Sequence, residues 1–80
     1  MITNRIIEIN PGYSYAYYLK YIISIKEDDL QNAQANINKA IMRDRENIRY
    51  LIEKVKLLIT NKKYDLAKYN LTIIEQLNPN

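Results

Sequence analysis

From Tyr15 to about Lys26, apolar residues stand at 15, 18, 19, 22, 23 and 25, the spacing of a helix rather than a strand. The polar run Lys26-Glu27-Asp28-Asp29 interrupts this pattern, and either aspartate can cap a following helix by accepting its free amide hydrogens. A second helix is predicted from Leu30 to about Arg43, with Leu30, Ala33, Ile37, Ala40 and Ile41 on one face. A third runs from Ile48 to about Thr60, and Asn61-Lys62-Lys63 breaks it. A fourth runs from Tyr64 to about Leu77, where Pro79 disfavours helical backbone at the residue before it. The chain has a single glycine, too few for a sheet with several tight turns. The predicted class is all-α.

The pattern repeats. IIEINPG at residues 6–12 returns as IIEQLNPN at 73–80, and AIMRDREN at 40–47 is a degraded copy between them. The step is 34 residues: Asn10-Pro11, Asp44-Arg45 and Asn78-Pro79 share a register. Ile6, Ala40 and Ile74 follow it, as do the pairs Tyr17 and Leu51, Leu30 and Tyr64, Ala33 and Ala67, and Ile37 and Leu71. The chain therefore divides into residues 1–13, the tail of a preceding helix ended by Pro11-Gly12, a first repeat over 14–47, and a second over 48–80. Ala33 and Ala67 fall just after the breaks, where a small side chain lets the two helices of a hairpin approach closely.

These residues resemble the tetratricopeptide repeat family, whose 34-residue unit is a helix–turn–helix with a W-x2-L-G-x2-Y…A-x3-F…P pattern. NKKYDLAKYNLTIIEQLNPN carries Tyr64, Ala67, Leu71 and Pro79 in that register, and the first repeat supplies Leu30, Ala33, Ile37 and Ala40, with Arg45 in the proline's place. Tyr17 and Leu51 fill the tryptophan slot. Lys20 and Lys54 stand where leucine is usual, Tyr21 and Val55 where glycine is usual, and Ser24 and Leu58 in the tyrosine slot. The resemblance implies a right-handed α-solenoid of antiparallel helix hairpins, with the first helix of each repeat lining a concave groove.

Within those first helices, Tyr17, Tyr21 and Ser24 form the stripe facing the hairpin partner. Turned about 100° or more away are Tyr15, Tyr18, Ile22 and Ile25, and in the second repeat Arg49, Ile52, Lys56 and Ile59. Tyr15, Tyr18, Ile22, Arg49, Ile52 and Lys56 are the candidate peptide-binding residues. Tyr15, Tyr18, Arg49 and Lys56 are expected at the surface, whereas Ile22 and Ile25 suit core and groove equally. Apolar anchors interleaved with cations suit a peptide or protein segment carrying apolar and acidic groups. Some members of the family hold a partner's terminal carboxylate with a clamp of Lys, Asn and Arg. Here Tyr18, Ile22 and Leu19 occupy clamp slots and Glu53 stands where a cation belongs, so that ligand is not expected.

Composition narrows the chemistry. There is neither cysteine nor histidine, so disulfides, thiolate metal sites and the commonest general base are excluded. Asp28, Asp29 and Glu8 have ordinary roles at helix ends, and no enzyme activity, cofactor or metal is expected. The net charge is +3, with Lys and Arg dispersed, which disfavours nucleic acid as a partner. The related helical repeats that read RNA bases are disfavoured too, because no polar pair recurs at matching positions. No apolar run approaches the ~18 residues of a membrane span. A cytoplasmic setting is the expectation. The Asn70-Leu71-Thr72 sequon falls inside a predicted helix and reads as chance.

A chain of 80 residues buries only about 60–65% of its unfolded surface, so its stability margin is thin. Leu71, Ile74 and Leu77 have no further helix to cover them within this sequence. The alternative to a groove-binding scaffold is therefore a small homo-oligomeric helical protein, or a segment of a longer array, whose end faces self-associate.

Overall fold

The computed structural model describes residues 13–78. They form four helices: α1, Ser14–Lys26; α2, Leu30–Arg43; α3, Ile48–Thr60; and α4, Tyr64–Leu77. No strand occurs among the described residues, and the all-α class holds. The expected half-helix ending at Pro11-Gly12, the place of Glu8 and the stop at Pro79 lie outside the described residues.

The 34-residue step reappears in the backbone. Helix starts fall at 14 and 48 and at 30 and 64, and helix ends at 26 and 60 and at 43 and 77. The turns repeat as well. At the end of α1 the Asp28 amide donates to the Ile25 carbonyl at 3.0 Å and the Asp29 amide to the Ser24 carbonyl at 2.8 Å. At the end of α3 the Lys62 amide donates to Ile59 at 2.9 Å and the Lys63 amide to Leu58 at 2.8 Å. This is the Schellman arrangement, which satisfies the last carbonyls of a helix through one left-handed residue. Asp28 has φ 57° and Lys62 has φ 60°. Glycine usually fills that position because it has no Cβ to clash.

The breaks also start the next helix. Asp29, rather than Asp28, caps α2: one carboxylate oxygen accepts the Asn32 amide at 3.2 Å and the other its side-chain Nδ2 at 2.6 Å. Asn47 caps α3 by accepting the Tyr50 amide at 3.2 Å. Lys63, the counterpart of Asp29, gives α4 no side-chain cap.

The chain divides into two compact units between Arg45 and Glu46, each holding one helical hairpin. In the first, α1 packs on α2. Ala16, Tyr17, Tyr21 and Ser24 are buried on α1, and Ala33, Asn36, Ile37 and Ala40 on α2. Arg43 lies over the Tyr17 ring, its guanidinium carbon 4.7 Å from the centroid, and the Lys39 ammonium is 5.7 Å from the same ring. The second unit packs α3 on α4. Val55, Leu58 and Ala67 form its buried cluster, with the half-buried Ile74 against them.

Both second helices bury an asparagine that the apolar pattern does not anticipate. Asn36 donates its side-chain amide to the Asn32 carbonyl at 2.9 Å, and Asn70 to the Leu66 carbonyl at 2.8 Å. Each bond satisfies a donor that burial would otherwise leave unpaired. Asn70 is thereby buried within α4, as expected of a chance sequon.

Two substitutions test this account. Ala67→Leu places extra volume where α3 and α4 meet and is expected to destabilise by about 1–3 kcal/mol, read as a lower urea midpoint; an unchanged midpoint would put Ala67 off the packing face. Lys62→Gly removes the left-handed strain of a long side chain and is expected to stabilise by about 0.5–1 kcal/mol, or several degrees in Tm. Asp28→Gly should gain less, because aspartate tolerates that conformation better than lysine. A fall in Tm for Lys62→Gly would show that the turn is not left-handed.

Candidate protein-interaction surface

The six candidate residues occupy two helices, three on each, and within each helix they lie at spacings of three and four residues, which is one stripe of a helix surface. On α1 the stripe is Tyr15, Tyr18 and Ile22. On α3 it is Arg49, Ile52 and Lys56.

Tyr15 is at the surface, 46% exposed. Tyr18 is not: it is 9% exposed and belongs to the buried set, against the surface position expected from its spacing. Tyr18 belongs to a ladder of aromatic rings along one flank of α1. Tyr15 and Tyr18 have centroids 6.0 Å apart, and Tyr18 stacks on Tyr21 at 6.0 Å with the planes 25° apart. Residues three apart on a helix are neighbours, so each ring covers the next. Tyr13 extends the ladder outward, 6.1 Å from Tyr15. Tyr18 is thus the interior rung, backing Tyr15 rather than facing solvent itself. Ile22 is half-buried and Ile25, one turn on, is exposed.

The α3 stripe is open throughout. Arg49 and Lys56 are exposed, Ile52 is 40% exposed, and Ile59, the next position along the stripe, is 48% exposed. Lys56 Nζ donates to Glu53 Oε2 at 3.2 Å. The lysine side chain of that pair is 67% exposed and the glutamate 23%. Solvent reaches the pair from the lysine side and screens it there.

A further apolar surface lies on α4. Tyr64, Leu66, Tyr69 and Leu71 are all exposed, with Tyr69 reaching 65%. Of the residues expected to be uncovered, Leu71 is exposed at 44%, while Ile74 and Leu77 are half-buried. Leu66 and Tyr69 were not anticipated. Their signal is their register: they flank Ala67 instead of sharing its face.

Among the described residues, no group of three or more acidic, cysteine or histidine side chains is placed to hold a metal ion. None of the described helices is long and apolar enough to cross a membrane. Comparison with protein-family models, curated proteins and solved structures returns no match.

The ladder makes a prediction that separates the two ends of the α1 stripe. Tyr18→Ala should cost about 2–4 kcal/mol, as truncation of a buried ring does. Tyr15→Ala should cost below about 1 kcal/mol. Equal losses in urea denaturation would dissolve the distinction between buried and exposed rungs.

Proposed function

We propose that this chain is a cytoplasmic, non-catalytic scaffold for protein–protein interaction. In this reading its hairpins are consecutive units of a tetratricopeptide-like, right-handed α-solenoid, and a peptide or protein segment lies in the concave groove. Tyr15, Ile22, Arg49, Ile52 and Lys56 contribute to that groove, with Tyr18 as the support of Tyr15. The observation that carries the proposal is the α3 stripe, where two exposed isoleucines alternate with two exposed cations. Exposed isoleucine gains by being covered, at roughly 25 cal/mol per Å² of apolar area. The cations add charge selection to that gain. The recurrence of helix ends and turns at one step supports the repeat architecture.

A second reading draws on α4. Its exposed Tyr64, Leu66, Tyr69 and Leu71 favour self-association through that helix. Sedimentation over a concentration series distinguishes the two, because self-association makes the apparent mass rise with concentration.

The scaffold reading is tested by peptide display against the whole chain. Selection should enrich sequences whose binding falls about tenfold on Arg49→Glu or Ile52→Asp. Both variants should melt within about 0.5 kcal/mol of the parent, because both side chains are exposed. Failure to enrich any sequence, or enriched peptides indifferent to both changes, would remove this surface from function.

A further inference from the structure

The α3 stripe has a finer pattern than mixed apolar and basic character. Arg49, Ile52, Lys56 and Ile59 are separated by three, four and three residues, which is the a–d–a–d spacing of a coiled-coil seam. All four are exposed, and among the described residues no other helix covers the seam. Cations fill both a positions and isoleucines both d positions. From this we propose that α3 docks an acidic amphipathic helix, lying along it with its own apolar residues on Ile52 and Ile59 and its carboxylates facing Arg49 and Lys56. The inference rests on the scaffold reading and specifies the partner of that same surface.

Spacing selects a helix over an extended segment. Ile52 and Ile59 are separated by about 10.5 Å along the axis, since a helix rises 1.5 Å per residue. A partner helix lying alongside repeats its seam positions at that same interval. In an extended strand, side chains on one face recur about every 6.6 Å, so 10.5 Å falls between its first and second repeats. The Arg49 and Lys56 pair obeys the same interval and fixes the same register.

Charge selects an acidic helix over a second copy of this chain. Two copies of α3 paired along this seam would bring together two cations from each, and Glu53, the one carboxylate within α3, already lies 3.2 Å from Lys56. Carboxylates on a different helix meet those cations directly. The Lys56 side chain is 67% exposed and can turn from Glu53 to a partner's carboxylate.

The test is fluorescence anisotropy with the whole chain and synthetic three-heptad peptides. One peptide carries leucine and glutamate in its seam. A second has lysine for each glutamate. A third keeps the acidic composition but has a proline in every heptad. The acidic helical peptide should bind, and weaken at least about tenfold with the double variant Arg49→Glu/Lys56→Glu and with added salt. The lysine peptide should ignore the parent and bind the double variant. Circular dichroism melting checks that each variant keeps its fold. Binding of the proline-interrupted peptide in preference to the helical one would overturn the helical partner and leave the scaffold reading standing. A concentration-dependent mass increase abolished by the double variant would make a second copy the occupant and overturn the acidic one. Binding of display-selected peptides but of none of the three would reject the seam alone. Binding of no peptide, designed or selected, would reject both proposals.

Discussion

Each hairpin depends on one tight reversal, made by a residue in left-handed backbone between two helices. The reversal at Asp28 satisfies the carbonyls of Ser24 and Ile25 and delivers the chain at once to the cap at Asp29. Because the turn is so short, the helices must come together within a residue or two of leaving it. That is why an alanine follows at 33 and again at 67, both buried. A larger side chain there would lever the helices apart just where the backbone allows no slack. The core beyond the turn can then be assembled from bulky groups, which is how a chain without tryptophan or phenylalanine uses tyrosine.

Tyrosine is an uneven substitute for phenylalanine. It brings ring area and a hydroxyl that must reach a partner or water. The ladder on α1 shows one solution. Tyr21 is buried, Tyr18 lies on it, and Tyr15 and Tyr13 continue outward into solvent. Tyr17, on the other flank, is met by Arg43 and Lys39 from α2, whose cations favour the face of an aromatic ring. The two cationic contacts therefore join α1 to α2 at the end of the hairpin far from the turn, where Ala33 cannot hold them.

Much of the local fold was legible from the residues. Polar breaks at 27–29 and 61–63 marked the turns, and the apolar period placed all four helices and the buried alanines. The left-handed conformations at Asp28 and Lys62 were hidden, because no glycine announces them. Tyr18 is buried against expectation, because a period of 3.6 assigns each residue a direction but does not register what packs around it. The limit is clearest in the pair Ile37 and Leu71. They share a register and a helix face, yet Ile37 is 0% exposed and Leu71 is 44% exposed. A local period predicts equal burial for both, whereas burial depends on what surrounds each helix. Of the candidate residues, those on α3 are all exposed, whereas on α1 only Tyr15 is.

The difference between the two stripes has a physical reading. On α1, consecutive rungs are aromatic rings with centroids 6.0 Å apart, of which Tyr18 and Tyr21 are buried and Tyr15 is exposed. On α3 the isoleucines stand about two turns apart with Lys56 between them, and neither isoleucine can shield the other. In the proposed docking, repulsion between like charges disfavours pairing with a second copy of the stripe, while its apolar area favours being covered. The inner rungs of the aromatic ladder, Tyr18 and Tyr21, are buried and contribute to the stability of the hairpin that presents Tyr15.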